Sequence, residues 1–300
     1  SIAYISGGGN FINSLFSSFP ANISILIFVL FFGFFIYKGA LIVDRINILL
    51  MIGLIISYIC FVFFGAKHVN FSYLQNSNLN YALYSLPIIV ISFGYQGIIP
   101  SLTTYLKKDA KRLRTAIFLG TTFTLIIYLL WEFLILGIIP LYGEHGLVAA
   151  NALGQSAIAP LKYHTQIPNI YIIGQFFGFF ALTTSFLGVN LGLFDFLSDG
   201  LKIAKKGFFK KFTLCVVTFL PPLIITLTYP HIFLIALDYA GGIGGVLLLI
   251  LLPALMVWNS RYIKKENNKK QLLGGKIALA IIFIFILFEF AIKIFKDINH

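Results

Sequence analysis

The sequence predicts an all-α membrane protein that crosses the bilayer many times, and its composition is the first reason. Of the 300 residues, 59% are hydrophobic and 11% are charged, against about 25% charged in an average soluble domain. The mean hydropathy is +0.94. A compact soluble domain needs a polar exterior that this composition does not supply, so the expected solvent is lipid.

Apolar runs of spanning length are the second reason. A helix needs about 20 mostly apolar residues to cross the hydrocarbon core. The runs are apolar on every face, whereas barrel strands alternate apolar and polar residues. Eight runs approach or exceed the spanning length: 23–37, 46–66, 82–105, 115–139, 168–197, 212–229, 231–258 and 277–295. Residues 1–16 are predicted to be the tail of another span, ending at Gly7-Gly8-Gly9. No polar stretch could hold a soluble domain, so a single transmembrane domain over residues 1–300 is predicted.

The distribution of lysine and arginine is the third reason, because it predicts the orientation. Of the 22 Lys and Arg residues, 18 lie in the links 38–45, 106–114, 198–211 and 259–276. The other four lie in the alternate links or at the C-terminal end. Cytoplasmic loops carry the excess of basic residues, so this alternation supports eight spans and places the four basic links in the cytoplasm. Counting back places Ser1 on or near the outer side, and a start without Met predicts a fragment.

Composition and spacing argue against several other functions. The net charge of +12 does not predict a nucleic-acid partner, because the basic residues lie in short links between apolar runs. The histidines have no ligand spacing, and no nucleophile elbow, phosphate loop or metal-ligand cluster occurs. Gly241-Gly242-Ile243-Gly244-Gly245 lies inside a span, where it predicts close helix packing or a hinge. We therefore expect no enzymatic activity, no metal site and no cofactor.

The third run, 82–105, is predicted to be interrupted near its middle. Gly94 and Gly97 lie within Ser92-Phe93-Gly94-Tyr95-Gln96-Gly97, and two glycines beside polar residues loosen a helix. A broken helix exposes backbone groups that a bilayer tolerates only beside a cavity. In transporters such half-helices form the substrate site near the midplane. The alternative is a packing notch at which glycine lets a neighbouring helix approach.

Polar side chains in the other runs are candidates for binding an ion. Thr183-Thr184-Ser185 could bond back to their own helix, or supply oxygen ligands for sodium or a polar lining for a substrate path. Ionisable residues within spans are costly and are functional candidates. They are Glu132, Asp195, Asp238 and Glu289.

Each of these acidic residues also has a structural interpretation that needs no role in coupling. Asp195 is close enough to the cytoplasmic end to pair with a basic residue there. Glu289 could pair with Lys293, four residues later on the same helix. Glu132 is the most deeply placed of the four in its run.

Several stretches, in order along nearly the whole chain, resemble bacterial aromatic amino acid permeases. They are Ala3-Tyr4-Ile5-Ser6-Gly7, Ser92-Phe93-Gly94-Tyr95-Gln96-Gly97 with Ile99-Pro100-Ser101, Thr184-Ser185-Phe186-Leu187-Gly188-Val189, Gly192-Leu193-Phe194-Asp195-Phe196-Leu197 with Asp199, Thr218-Phe219-Leu220-Pro221-Pro222, and Tyr239-Ala240-Gly241. The likeness is strongest to tyrosine-specific members of the hydroxy/aromatic amino acid permease family, in the amino acid/polyamine/organocation superfamily. Gln96 stands where His is common in this family, and Asp238 where a small residue is common.

The resemblance implies a LeuT-like inverted-repeat transporter fold of eleven spans. This chain then lacks the first two spans and part of the third. The implied function is import of an aromatic amino acid, with tyrosine as the expected substrate, by proton symport across the bacterial inner membrane. A sodium-coupled carrier and a non-transporting subunit or sensor are the alternatives, and the oligomeric state is left open.

The resemblance also implies roles for particular residues. The substrate is expected against Ser92, Phe93, Gly94, Tyr95, Gln96 and Gly97, with Tyr4 and Ser6 on the opposite side. Phe93 and Tyr95 are expected to pack on its ring, and Gln96 to bond its polar tip. Thr184 and Ser185 fall where sodium-coupled relatives hold an ion. Glu132, Asp195 and Asp238 are the remaining coupling candidates.

Overall fold

The described chain is helical. The computed structural model describes residues 1–16, 19–75, 82–164, 168–203, 207–229, 232–264 and 274–299. Within those ranges it contains α-helices, short 3₁₀ turns and two π-helical segments, and no strand. The predicted all-α fold class is confirmed.

The helices of the described residues are numbered here in chain order. They are α1 (Ile2–Leu15), α2 (Ala21–Lys38), α3 (Ala40–Gly65), α4 (Leu86–Ser92), α5 (Ile99–Tyr105), α6 (Ala110–Ile138), α7 (Leu147–Ala152), α8 (Leu161–His164), α9 (Pro168–Gly200), α10 (Phe208–Thr228), α11 (Phe233–Tyr239), α12 (Leu252–Trp258) and α13 (Gly275–Asn299). The backbone between α11 and α12 is π-helical over Ala240–Leu251. A second π-helical stretch, Asn259–Ile263, follows α12.

Among the described residues, seven helical stretches are long and apolar enough to cross a membrane. They are Ala21–Lys38, Ala40–His68, Ala110–Ile138, Asn169–Gly200, Phe208–Thr228, Ile235–Ile263 and Gly275–Phe295. They correspond to seven of the eight predicted runs. The remaining run holds α4 and α5, two shorter helices separated by a break. Helix α3 begins before the predicted residue 46 and includes Arg45, because a long basic side chain can extend from a helix end to the headgroup region.

Two compact units make up the chain, and the first consists of Ser1–Asn76 and Tyr128–Leu234. In this unit α1 packs on α2, α9 packs along α3, and α10 packs on α2. One buried cluster is formed by residues that include Ile5, Phe28, Phe186, Leu187 and Leu214. Another is formed by residues that include Phe61, Leu134, Ile138, Leu161 and Ile170. The prediction of one transmembrane domain over the whole chain stays a prediction.

Helix α1 passes through Gly7-Gly8-Gly9 and ends at Leu15, so the prediction that the segment ends at these glycines was wrong. A Cβ on Gly8 would overlap the Phe28 ring, and one on Gly9 would lie 3.0 Å from the Ile25 Cα. These glycines therefore allow α2 to pack closely on α1, and α1 is continuous through them.

Ser1, at the start of α1, contacts α9. Its Oγ donates a hydrogen bond to Oδ1 of Asn190 at 2.7 Å. The position of Ser1 on or near the outer side of the membrane stays a prediction.

The second unit consists of Ser77–Ile127 and Ile235–His300. The π-helical segment is central in this unit, because it packs against α4, α12 and α13. A Cβ on Gly241 would overlap the carbonyl oxygen of Pro87 on α4 and lie 2.8 Å from the carbonyl carbon. The close packing predicted for the glycine cluster is confirmed at Gly241.

Candidate functional site

The predicted interruption lies at Phe93–Tyr95. Helix α4 ends at Ser92, a 3₁₀ turn follows over Gln96–Ile98, and α5 begins at Ile99. Pro87 and Pro100 stand in the first turns of α4 and α5, where the missing proline N–H removes no helical hydrogen bond. The Gly94 N–H reaches back to the Ile91 carbonyl at 3.0 Å. The break therefore arises locally, and an irregular backbone in a span is tolerated only beside a cavity or inside protein.

The side chains at the break have different surroundings. Ser92 Oγ donates to the Ile88 carbonyl at 2.7 Å, and the Tyr95 hydroxyl lies 2.7 Å from Thr121 Oγ1 on α6. Phe93 is half-buried. The Gln96 Oε1 atom is buried, and it has no hydrogen-bond partner among the described residues. An unpaired buried carbonyl oxygen is costly, so Gln96 offers an acceptor that a ligand could satisfy.

Tyr4 on α1 and the hydroxyl cluster on α9 are neighbours in the first unit. Tyr4 is within hydrogen-bonding reach of Ser185, and Thr184 Oγ1 donates to the Ala181 carbonyl at 3.1 Å. Thr183 is fully buried, and its Oγ1 has no partner in the part of the chain that is described. Ser6 is buried on the same helix as Tyr4. The sequence predicts two separate roles for these residues and does not indicate that α1 and α9 bring them together.

Tyr4 and Ser6 belong to the first unit, and Ser92 to Gly97 belong to the second. The prediction that Tyr4 and Ser6 line the substrate site opposite the break stays a prediction. So do the coupling roles of Thr184 and Ser185.

The acidic candidates differ in burial. Glu132 is exposed on α6, and Asp195 is half-buried near the end of α9. Asp238 is buried on α11 and accepts a hydrogen bond from Lys293 Nζ at 2.5 Å. The predicted local pair between Glu289 and Lys293 is therefore replaced by a pair that joins α13 to α11. Sequence spacing missed it because Asp238 lies far from Lys293 along the chain.

A cavity of about 390 Å³ lies within the first unit, and no motif in the sequence indicated it. Its wall includes Asn13 and Ser14 of α1, Gln155 from the link after α7, and Tyr171 and Gln175 of α9. Gln175 Nε2 donates to the Tyr171 hydroxyl at 2.7 Å. Amide, hydroxyl and aromatic side chains thus line this cavity. The end of α1 and the start of α9, which form part of its wall, lie on the side of the membrane that the basic links predict to be external.

Comparison with known proteins identifies the family. The sequence profile of the tryptophan/tyrosine permease family matches residues 1–293. The chain belongs to the tryptophan/tyrosine permease family. It is accordingly a permease-type membrane protein and not an enzyme, and it is a multi-pass protein of the bacterial inner membrane.

Individual members of the permease family are similar over almost the whole chain. A tryptophan-specific transport protein of Haemophilus influenzae is 31% identical over 300 residues, which cover 94% of this chain and 71% of the relative. Tyrosine-specific transport system 1 of the same organism is 32% identical over 294 residues, with the same coverages. A tryptophan-specific transport protein of Pseudomonas aeruginosa is 32% identical over 295 residues, which cover 94% of this chain and 70% of the relative. No solved structure matches the chain.

Proposed function

We propose that this protein is a proton-coupled symporter that imports tyrosine into the bacterial cytoplasm. The observation that carries the proposal is the break at Phe93–Tyr95, in the middle of an apolar run of a permease-family chain. Half-helices at this depth form substrate sites in transporters, because their exposed backbone groups can bind a polar ligand. No cofactor is needed beyond the coupling ion.

A LeuT-like inverted-repeat fold is part of the same proposal. The helices of this chain would correspond to spans three to eleven of that fold, with α1 in span three. The broken pair α4 and α5 would be span six, and α9 would be span eight. Among the described residues, a broken run in addition to seven long helices supports this assignment, as does the 71% of the Haemophilus influenzae relative that the chain covers.

Tyrosine is favoured as the substrate by the surroundings of Gln96. The half-buried Phe93 and the partly exposed Tyr95 provide rings on which an aromatic substrate can pack. The buried Oε1 of Gln96 lacks a partner among the described residues, and a phenol hydroxyl can donate to it. Relatives of similar identity are named for tryptophan and for tyrosine, so competition between substrates is the necessary measurement.

One proton per substrate supplies enough free energy for substantial accumulation. One elementary charge that moves through about 100 mV supplies about 2.3 kcal/mol. Because about 1.4 kcal/mol corresponds to a tenfold ratio, one proton can support roughly fifty-fold accumulation of substrate.

The test is uptake of labelled tyrosine by the full-length protein in proteoliposomes, under separate proton and sodium gradients. A proton gradient should drive uptake without sodium. A complete lack of uptake under every gradient would exclude the transporter hypothesis, in favour of a subunit or sensor. Uptake driven by sodium and indifferent to protons would exclude proton coupling and support the sodium-coupled alternative, for which Thr184 and Ser185 are the candidate ligands.

A valine at Gly94 tests the site itself. A Cβ there would lie 2.8 Å from the Ile91 carbonyl oxygen and 3.0 Å from Leu249 Cδ1, so the backbone at the break must move. Gly94→Val should abolish uptake, whereas Gly120→Val on α6, where a Cβ meets nothing within 4 Å, should transport normally. Normal uptake by Gly94→Val would contradict a substrate site at the break.

Substrate choice is tested by competition with unlabelled amino acids. Tyrosine should displace the label better than phenylalanine or tryptophan. Gln96→Leu should reduce the preference for tyrosine over phenylalanine by about 2- to 10-fold, since one hydrogen bond contributes about 0.5–1.5 kcal/mol. An unchanged preference would remove Gln96 from the site.

A further inference from the structure

Three ionisable side chains form a buried group inside the second unit. Asp238 lies on α11, and Glu289 and Lys293 lie one turn apart on α13; we call them the charged trio. Asp238 is 8% exposed, Lys293 is 3% exposed and Glu289 is fully buried. Lys293 Nζ is 2.5 Å from Asp238 Oδ2 and 4.0 Å from the centre of the Tyr239 ring. Neither carboxylate oxygen of Glu289 has a hydrogen-bond partner among the described residues.

Glycines of the π-helical segment make room for this group. A Cβ on Gly242 would lie 3.2 Å from Cδ of Lys293, so the lysine stem lies close against a glycine face. The adjacent Gly241 contacts the backbone of Pro87 on α4. Two adjacent glycines of the π-helical segment therefore contact Lys293 of the charged trio and Pro87 of α4, the first half of the broken helix.

The trio has two acids and one base. The described elements that pack against α13 are the π-helical segment, α12, α4 and the 3₁₀ turn before α4, and the titratable residue among them is Tyr84 in that turn. Asp238 and Tyr239 lie on α11, directly before the π-helical segment, and Tyr262 after α12 meets Lys276 near the opposite end of α13. With Lys293 and Asp238 paired, one proton on Glu289 makes the trio neutral. Without that proton the trio carries a net negative charge, which is costly within a membrane span.

Lys293 has a second acid within its reach. Residues four apart on a helix are neighbours, so a rotation of the lysine side chain can move its ammonium group from Asp238 toward Glu289. The two carboxylates therefore compete for one cation, and the proton on Glu289 decides the competition.

We infer that Glu289 binds the coupling proton. When this proton is released, the Lys293 ammonium group moves from Asp238 to the Glu289 carboxylate. The inference rests on the proposed proton symport and names its site. A proton from the outer side adds to a Glu289 carboxylate oxygen and forms a neutral carboxylic acid, while Lys293 stays with Asp238. On the cytoplasmic side the O–H bond breaks, the proton passes to water, and the Glu289 carboxylate accepts a hydrogen bond from the Lys293 ammonium group. No electrons are transferred, and each cycle returns the trio to its starting composition.

The test separates proton coupling from substrate exchange. Glu289→Gln keeps the size of the side chain but cannot bind and release a proton. In proteoliposomes this variant should exchange labelled tyrosine for internal unlabelled tyrosine at the wild-type rate, within about two- to threefold. Under a proton gradient its accumulation ratio should fall from as much as about fifty-fold to about one, and tyrosine should no longer acidify the lumen. Glu144→Gln, an exposed carboxylate in the link after α6, is the matched control and should behave as wild type.

Glu289→Asp completes the design, because it restores a carboxyl group. It should accumulate tyrosine, with a shifted pH profile. Accumulation by Glu289→Gln at the wild-type ratio would overturn the inference. Equal losses of exchange and accumulation in both variants would also overturn it, because they would indicate a structural role. A wild-type protein that exchanges tyrosine but never moves protons would instead contradict the proposed function.

Discussion

Alanine at Gly241 should separate α4 from the π-helical segment and lower both stability and uptake. The added Cβ would lie 2.8 Å from the carbonyl carbon of Pro87 and closer still to its oxygen. Carbon atoms in contact are about 3.5–4.0 Å apart, so the two backbones must separate by about 1 Å. No side-chain rotation can relieve this overlap, because Pro87 presents backbone atoms. Overpacking of this kind typically costs about 1–3 kcal/mol.

The matched control is Gly244→Ala in the same π-helical segment, where a Cβ meets nothing within 4 Å. Thermal denaturation of the purified variants in detergent, followed by tyrosine uptake in proteoliposomes, measures both effects. Gly241→Ala should denature at a lower temperature and transport more slowly than the control. Equal midpoints and equal uptake for the two variants would refute the close contact between Gly241 and α4.

The remaining predictions concern packing and orientation. Phe61→Ala should destabilise the protein by about 3–5 kcal/mol, the usual cost of removing a buried phenylalanine ring. Phe61 is fully buried, and its ring centre lies 4.9 Å from that of Trp131. Phe63 lies on the exposed face of α3, so Phe63→Ala should have little effect on the same denaturation midpoint. In a variant without Cys60 and Cys215, a cysteine at Glu144 should react with a membrane-impermeant maleimide in intact cells, and one at Lys111 should react only after permeabilisation. The opposite labelling pattern would reverse the orientation given by the basic links.

Local causes explain what the sequence could predict. The break in run 82–105 follows from residues in the run itself, since Gly94 weakens a helix and Pro100 favours the start of a new one, whatever surrounds them. The long helices follow in the same way from runs of apolar residues. Their ends were less predictable, because Arg45 can continue a helix into the headgroup region.

Partners that are distant in sequence explain what it could not predict. The glycines at 7–9 and at 94 look alike in the sequence, yet the first group accommodates Phe28 and Ile25 of a neighbouring helix and the other interrupts its own helix. Lys293 likewise has one nearby acid and one distant acid, and spacing alone favours Glu289. The structure pairs it with Asp238, because the glycine face of the π-helical segment brings α11 and α13 together.

The contact at Gly241 connects the break to the charged trio. It joins backbone to backbone, so a displacement of α4 cannot be absorbed by a change of rotamer. A displacement of α4 toward this contact would therefore act on the π-helical segment, in which Gly242 lies against the Lys293 stem. A rearrangement of the broken helix during the proposed transport cycle would therefore change the space in which the Lys293 side chain can pair with Asp238 or with Glu289. Conversely, under the proposed proton mechanism a change in the partner of Lys293 would act on α4 through the same two glycines.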